Sequence, residues 1–347
     1  MFRSRSSSIT SIHGRSSRKG ISLDRNNNHI RIDRQTRLVH NTSKHVNEGF
    51  FGASENIRVV NARSCLERSY EIGPLVGQGN FSRVYFALRR KDDKKCALKE
   101  IDKTQLRGKW FFVENEVEIM EMCNHENIAQ LVDAFKTSHK YFLIFDYAQN
   151  GDLFEAIRVR GKLGEQESAS IISQTASALA YLHSRKIVHR DVKPENLLLH
   201  SNWHIRLCDF GLACTVLGPL FRVCGTPTYC APEILRECGY GTAVDVWSMG
   251  ILLHVMLFGY APFRSSDRNR LFRLIMQGRL HFDLPEGRKL STRARDIIGR
   301  MINVRPEKRP KAAEIPLHPW IVQHCSDSDD SLTITKQMNA INLDFEE

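Results

Sequence analysis

Paired cysteines are missing from this sequence. The nine cysteines are odd in number and scattered, with no CxxC spacing. That argues against a disulfide framework or a zinc site and for a reducing compartment, cytoplasm or nucleus. Long apolar runs are missing too. The most apolar stretch, Trp247 to Phe258 (WSMGILLHVMLF), is too short and too interrupted to span a bilayer and reads as a buried helix, so no integral membrane segment is expected. No apolar core of a signal peptide follows Met1, because Phe2 gives way at once to Arg3, Ser4 and Arg5. Internal repeats are absent. What remains is the make-up of a soluble globular protein: 347 residues, 41% hydrophobic and 26% charged, enough for one large domain or two ordinary ones.

The net charge of +11 is unevenly spread. Residues 1–68 hold 13 Lys/Arg against 5 Asp/Glu, whereas residues 326–347 hold one Lys against 6 acids. With its Ser, Arg and Asn content and no sustained apolar period, segment 1–68 reads as a disordered basic tail, and 322–347 as an acidic mobile one. A basic tail can bind nucleic acid, anionic lipid or an acidic polymer such as a microtubule, or can simply be solvated. A cytoskeletal or nuclear location is compatible with it.

Between the tails the texture changes once. Strand-like runs fit Tyr70–Val76, Val84–Leu88, Lys95–Ile101, Ile128–Phe135 and Tyr141–Asp146, with one helix near Phe111–Cys123. After Gly151 the pattern is helical, at Leu153–Val159, Gln166–Ser184, Ala243–Phe258, Arg268–Gln277 and Ser291–Ile302. Strands first and helices afterwards predict an α+β protein of two lobes. The expected domain is 69–321, divided into a small lobe at 69–147 and a larger one at 148–321.

Gly77-Gln78-Gly79-Asn80-Phe81-Ser82-Arg83-Val84 sits between two strand-like runs. Glycines there let backbone approach phosphate oxygens, and Val76 and Val84 can sandwich a flat ring. Ser82 replaces the third glycine of the usual pattern and slightly restricts the loop. No helix follows, which disfavours a dinucleotide site. Lys99 lies on the third strand, and an ion pair with Glu116 of the following helix would aim it at nucleotide phosphates. Glu114 and Glu118 compete for that role, but Glu116 shares a helical face with the apolar Val113 and Met120.

The densest chemistry is His189-Arg190-Asp191-Val192-Lys193-Pro194-Glu195-Asn196, followed by Asp209-Phe210-Gly211. Asp191 can accept the proton of a hydroxyl, and Lys193 can offset charge on a moving phosphate. Asn196 and Asp209 can hold Mg²⁺ against ATP phosphates. Phosphoryl transfer requires little beyond such positioning and charge neutralisation. Further on, Asp245 can brace the catalytic-loop backbone, and Glu233, Arg309 and Asp245 would each be costly to bury unpaired.

These motifs resemble a eukaryotic Ser/Thr protein kinase from about residue 70 to 321. Within that family the chain is similar to the calcium/calmodulin-dependent kinase group, and to doublecortin-like kinases in Gly79-Asn80-Phe81, Ile101-Asp102-Lys103, Glu114-Asn115-Glu116-Val117, Gly151–Ile157, Gly218-Pro219-Leu220-Phe221 and Cys224–Tyr229. The resemblance implies an adenine slot lined by Val76, Val84, Ala97 and Leu198, with Phe145 as gatekeeper and Cys208 at its border. It implies hinge backbone groups at Asp146 and Ala148, and Asp152 and Glu195 as receivers of an Arg two or three residues before the target hydroxyl. Val223, Pro227 and Cys230 would line a pocket for the residue after it. The expected activity is ATP- and Mg²⁺-dependent phosphorylation of Ser/Thr in protein substrates with basic residues before the target. A pseudokinase scaffold, or a kinase whose basic tail also binds an acidic polymer, are the alternatives.

Three departures from the family pattern carry expectations. Arg222 stands where many relatives phosphorylate an activation-loop residue, and Cys214 and Phe112 stand where they place basic partners for that phosphate. Only Arg190 remains, so the loop should order without phosphate there, Arg222 beside Arg190 needs a carboxylate partner that the sequence does not identify, and Thr215 is left as a phosphosite to test. Residues 1–68 are too few and too polar for a doublecortin repeat. The segment after Trp320 is acidic, so no calmodulin-binding basic helix is evident.

Overall fold

The structure, a computed structural model, describes residues 38–39, 57–79, 82–201, 203–283, 287 and 289–325. Expectations about the acidic segment beyond Cys325 and most of the basic one before Ile57 fall outside them. All of the described residues belong to one compact unit.

Chain order is β1 (Leu38–Val39), β2 (Arg58–Val59), α1 (Ser64–Glu67), β3 (Tyr70–Gln78), β4 (Ser82–Arg89), β5 (Lys94–Asp102), α2 (Phe111–Glu121), β6 (Leu131–Lys136) and β7 (Lys140–Asp146). One six-stranded sheet runs β2-β6-β7-β5-β4-β3, and only the β2–β6 pair is parallel. Its period of two decides where the chemistry points. In β5, Cys96 and Leu98 pack with Tyr70, Phe142 and Ile144 on one face. Ala97, Lys99 and Ile101 therefore take the other, where Ile101 packs on Val113 and Val117 of α2. Lys99 is thus delivered to the side on which α2 lies.

The folded region starts earlier than residue 69. Ile57 and Leu66 are buried, β2 extends the sheet, and Arg58 and Tyr70 both bond the Asp133 carboxylate. Two apolar anchors carry this segment, too few to produce a period visible in the sequence. The far end also moves. The last helix continues to a fully buried Cys325, and the Trp320 indole donates to Glu165 Oε2 at 2.8 Å.

The second lobe is α3 (Leu153–Arg160), α4 (Glu165–Ser184), β8 (Ile187–Val188), β9 (Leu197–Ser201), β10 (His204–Leu207), β11 (Cys214–Thr215), β12 (Cys224–Gly225), α5 (Pro232–Arg236), α6 (Ala243–Phe258), α7 (Arg268–Gln277), α8 (Thr292–Met301) and α9 (Pro319–Cys325). As expected of a helix apolar all round, every residue of α6 from Val244 to Phe258 is buried. Gly250 lets α8 come close, since a Cβ there would lie 2.7 Å from Ile302 Cγ1 and 2.9 Å from Met301 Cβ. The short β9–β10 hairpin and the antiparallel β8–β11 pair frame the catalytic loop. They are only two to five residues long, which hid them from the sequence pattern. No helix among the described residues is long and apolar enough to cross a membrane.

Candidate active site

The nucleotide end is a hairpin. Gly77 pairs with Val84 and Gln78 with Arg83, and Gly79 N–H donates to Ser82 O at 2.8 Å. Asn80 and Phe81, between them, lie outside the described residues. Val84 sits opposite Lys99 and Phe86 opposite Ala97, so Val84, Ala97 and Lys99 form a continuous patch across two strands. Val76 is 47% exposed at the mouth. Ala97 in turn faces Phe145 on β7. Asp146 N–H is engaged by Gln130 O at 3.2 Å, so the carbonyl is the backbone group Asp146 can offer. Its carboxylate pairs with Lys94 at 2.7 Å and Arg206 at 3.1 Å. Ala148 follows at the junction of the lobes. Leu198 bridges to Asp152 below it, and Cys208 is half-buried against the core of the second lobe.

Lys99 Nζ lies 2.8 and 3.1 Å from the two oxygens of Glu116 and 3.8 Å from Asp209 Oδ1. The competing carboxylates take no part in this pair. Glu114 accepts from the Tyr141 hydroxyl at 2.9 Å and pairs with Lys136, while burial raises the pKa of Glu118. One strand, one helix and one loop thus converge on a single ammonium. Asn115, next to Glu116, donates to Ala213 O at 2.9 Å and ties α2 to the segment after Asp209.

The catalytic loop is held from beneath by a buried carboxylate. Asp245 Oδ2 and Oδ1 accept the backbone N–H groups of His189 and Arg190, both at 2.9 Å, and His183 Nε2 lies 2.9 Å from Oδ2. Burial alone would raise its pKa, but His183 and the backbone donors hold it below the usual carboxylate value. This brace keeps Arg190 in the left-handed region at φ 67°. Asp191 is then gripped on all sides. Thr226 Oγ1 donates to Oδ1 at 2.9 Å, Lys193 Nζ lies 2.9 Å from Oδ2, and Asn196 Nδ2 donates to the Asp191 carbonyl at 2.7 Å and to Oδ2 at 3.1 Å. Lys193 Nζ also donates to Thr226 Oγ1 at 3.0 Å.

The donor set fits a magnesium ion shared with phosphate. Asn196 turns its amide nitrogen inward, which leaves its side-chain oxygen as the ligand atom. Asp209, held left-handed at φ 65°, presents a carboxylate from the facing loop. Among the described residues no three His, Cys, Asp or Glu side chains cluster as a metal site. Magnesium commonly takes one or two protein ligands and completes its shell with phosphate and water.

Three residues matter here in ways the sequence reading did not assign. Thr226 couples Asp191 to Lys193; its place directly after Gly225 was the available signal. Tyr240 answers the question raised by the two arginines. Its hydroxyl accepts from Arg190 Nη1 at 3.2 Å and donates to Arg222 O at 2.6 Å, while Arg190 Nε donates to Leu212 O at 2.6 Å. Phe112, the third, receives the Arg222 guanidinium over its ring at 4.5 Å. Neutral groups thus help to hold both arginines, where the sequence suggested a carboxylate. No local spacing connects residue 240 with 190, so only tertiary structure could supply that partner. Thr215 Oγ1 is buried in the β11–β8 pair without a hydrogen bond, a poor place for modification.

Comparison with known proteins agrees with the geometry. The pattern of the protein kinase domain family matches residues 70–321. The chain is 43% identical to the serine/threonine-protein kinase DCLK3 of Mus musculus over 262 residues, covering 74% of this chain and 33% of that protein. It is 42% identical to the serine/threonine-protein kinase DCLK2 of Rattus norvegicus over 282 residues, covering 78% and 37%. With the serine/threonine-protein kinase DCLK1 of Rattus norvegicus it shares 38% over 276 residues, covering 78% and 64%. The chain therefore spans less than two thirds of each of these relatives. The expected family and the two-lobed α+β fold are both borne out.

Proposed function

This chain belongs to the protein kinase family, and on that premise we propose that it transfers the γ-phosphoryl group of ATP to Ser or Thr hydroxyls of protein substrates. The observation that carries the reading is the convergence of Lys99, Glu116 and Asp209, facing the Asp191–Lys193–Thr226 cluster. Glu116 orients Lys99 toward the nucleotide phosphates. Asp191 takes the hydroxyl proton through the carboxylate that Thr226 and Asn196 orient. Lys193 offsets the charge that builds on the transferring group. Asn196 and Asp209 would hold magnesium, which when bound neutralises phosphate charge. Val76, Gly77, Gly79, Ser82, Val84, Ala97, Asp146, Ala148 and Leu198 would form the nucleotide slot. ATP-dependent labelling of a peptide with Arg three residues before Ser, lost in Asp209→Ala, tests the reading. Labelling that survives Asp209→Ala, or no labelling by the parent chain, would favour a scaffold.

A basic-directed preference follows from Asp152 and Glu195. Asp152 also caps α3, accepting Glu155 N–H at 2.8 Å, so Asp152→Ala would remove a cap as well as a charge. Asp152→Asn keeps the cap. It is expected to raise the KM for an Arg-containing peptide about tenfold and leave an Arg-free peptide unaffected. An equal change on both would refute the preference.

The activation segment is expected to work without phosphate. Phosphatase-treated protein should keep its activity, because Tyr240 and Leu212 O already hold Arg190. Tyr240→Phe removes the hydroxyl between Arg190 and Arg222 and is expected to lower kcat up to about tenfold. Loss of activity on dephosphorylation would contradict this.

A further inference from the structure

A cavity of about 440 Å³ opens in the small lobe and shares no residue with the nucleotide slot or the catalytic loop. Its walls are Val59, Val60 and Asn61 at the end of β2, Lys103 just beyond β5, and Lys136, Thr137 and Ser138 at the turn from β6 to β7. The turn is held by Thr137 Oγ1, which accepts the backbone N–H groups of His139 at 3.3 Å and Lys140 at 3.0 Å. Two lysines line this cavity and no acidic side chain does.

The carboxylates around it are engaged elsewhere. Asp102 accepts the backbone N–H of Thr104 at 2.9 Å and its hydroxyl at 2.6 Å. Glu100 pairs with Lys140 at 2.7 Å and Arg63 at 3.2 Å. Glu114 accepts the Tyr141 hydroxyl at 2.9 Å and reaches Lys136 Nζ at 3.4 Å. Lys103 has only neutral partners. Its Nζ donates to Thr137 O at 2.6 Å and lies 4.5 Å from the centre of the Tyr141 ring. An ammonium carries three donors, and the other two find no acceptor among the described residues. Burial first, and then the neighbouring Lys136 charge, lower the Lys103 pKa, with Glu114 opposing. An anion between the two lysines would relieve both effects.

We propose that this cavity is a phosphate-binding site, formed by the ammonium groups of Lys103 and Lys136, that takes a phosphorylated Ser or Thr side chain of a protein. A phosphoryl group brings three acceptor oxygens and nearly two charges, so it can meet both lysines together with the donors of Asn61 and Ser138. A carboxylate offers two oxygens and one charge. The volume leaves room for more than an isolated anion, and Val59, 75% exposed, supplies an apolar flank for the residue that carries the phosphate. β2 is an edge strand of the sheet, which leaves space beside it for the rest of that segment. The site stands apart from the kinase reading, and its test needs no phosphoryl transfer.

Titrating the full ¹⁵N-labelled chain with N-acetyl-phosphoserine amide is expected to give saturable shifts at the backbone amides of residues 136–139. N-acetyl-serine amide should give none. Lys103→Gln keeps a donor for Thr137 O but removes the charge, and is expected to weaken the affinity about tenfold, the loss of one charge-assisted hydrogen bond. Its amide spectrum away from the cavity should match the parent, and Lys103→Arg should retain binding. Lys136→Met is the poorer variant, because it strands the buried Glu114. Inorganic phosphate separates the two sources of the same chemistry. If it shifts these amides as tightly as phosphoserine does, the cavity takes a free anion and the assignment to a phosphorylated side chain is wrong. Absence of shifts at residues 136–139, or an affinity unmoved by Lys103→Gln, overturns the site.

Discussion

Asp191→Asn is expected to lower kcat by about 10²- to 10⁴-fold with little change in peptide KM, the range associated with loss of a positioned general base. Asparagine keeps an oxygen for the Thr226 hydroxyl, which now bonds Asp191 Oδ1 at 2.9 Å. It keeps the backbone carbonyl that accepts from Asn196 at 2.7 Å, so the loop retains most of its geometry. What disappears is the site that accepts the hydroxyl proton, together with the charge opposite Lys193 Nζ, 2.9 Å away. Steady-state kinetics on a basic peptide decide the matter. A kcat within about threefold of the parent would remove Asp191 from the role of base and leave it a positioning residue.

The second large effect is on stability. Arg309 Nη1 and Nη2 lie 2.6 and 2.8 Å from the two oxygens of Glu233, a bidentate pair. Both residues are buried, at 7% and 6% exposure, which leaves the partner of any deletion uncompensated. Arg309 Nε and Nη1 also donate to the carbonyls of Asn303 and Ala243, at 2.8 and 2.9 Å, and the guanidinium lies 5.1 Å from the Trp247 ring centre. Arg309→Met is expected to destabilise by about 3–5 kcal/mol, because it strands Glu233 in a low-dielectric interior. The double variant Arg309→Met with Glu233→Gln should recover part of the loss, since the stranded charge goes with its partner. Chemical denaturation midpoints measure both. If the single and double variants were equally unstable, the cost would lie in packing and not in charge. Glu233 opens α5 just after the activation segment, so this pair also anchors the far end of the substrate platform.

Legibility in the sequence differed by kind of feature. The run Trp247–Phe258 announced its own burial, because a helix with no polar face has nowhere to lie except inside. Glu116 was distinguishable from Glu114 and Glu118 because helical periodicity alone fixes which side chain shares a face with Val113 and Met120. In contrast, residues 57–68 looked like tail. Ile57 and Leu66 belong to separate apolar clusters, and isolated anchors leave no periodic trace. Tyr240 could not be identified as the partner of Arg190, since the two groups stand 50 residues apart and meet only after α5 and α6 have packed. The same holds for β1 on β12, where two residues bridge a gap that no spacing rule spans.

The sequence by itself determined the chemistry: an Asp and a Lys two residues apart, an Asn five beyond the Asp, and an Asp-Phe-Gly loop, in an order that suits phosphoryl transfer. It determined the two lobes as well, because periods of two and of 3.6 are local properties of the chain. Only the tertiary structure decided what surrounds that chemistry. A hydroxyl from residue 240 and a ring from residue 112 meet the two arginines, and the chain's own strand pairs with the edge of β12. The reason is physical. Element type follows from side chains a few residues apart, whereas the partner of a buried charge or a bare sheet edge is chosen by which distant surfaces the folded core brings within about 3 Å.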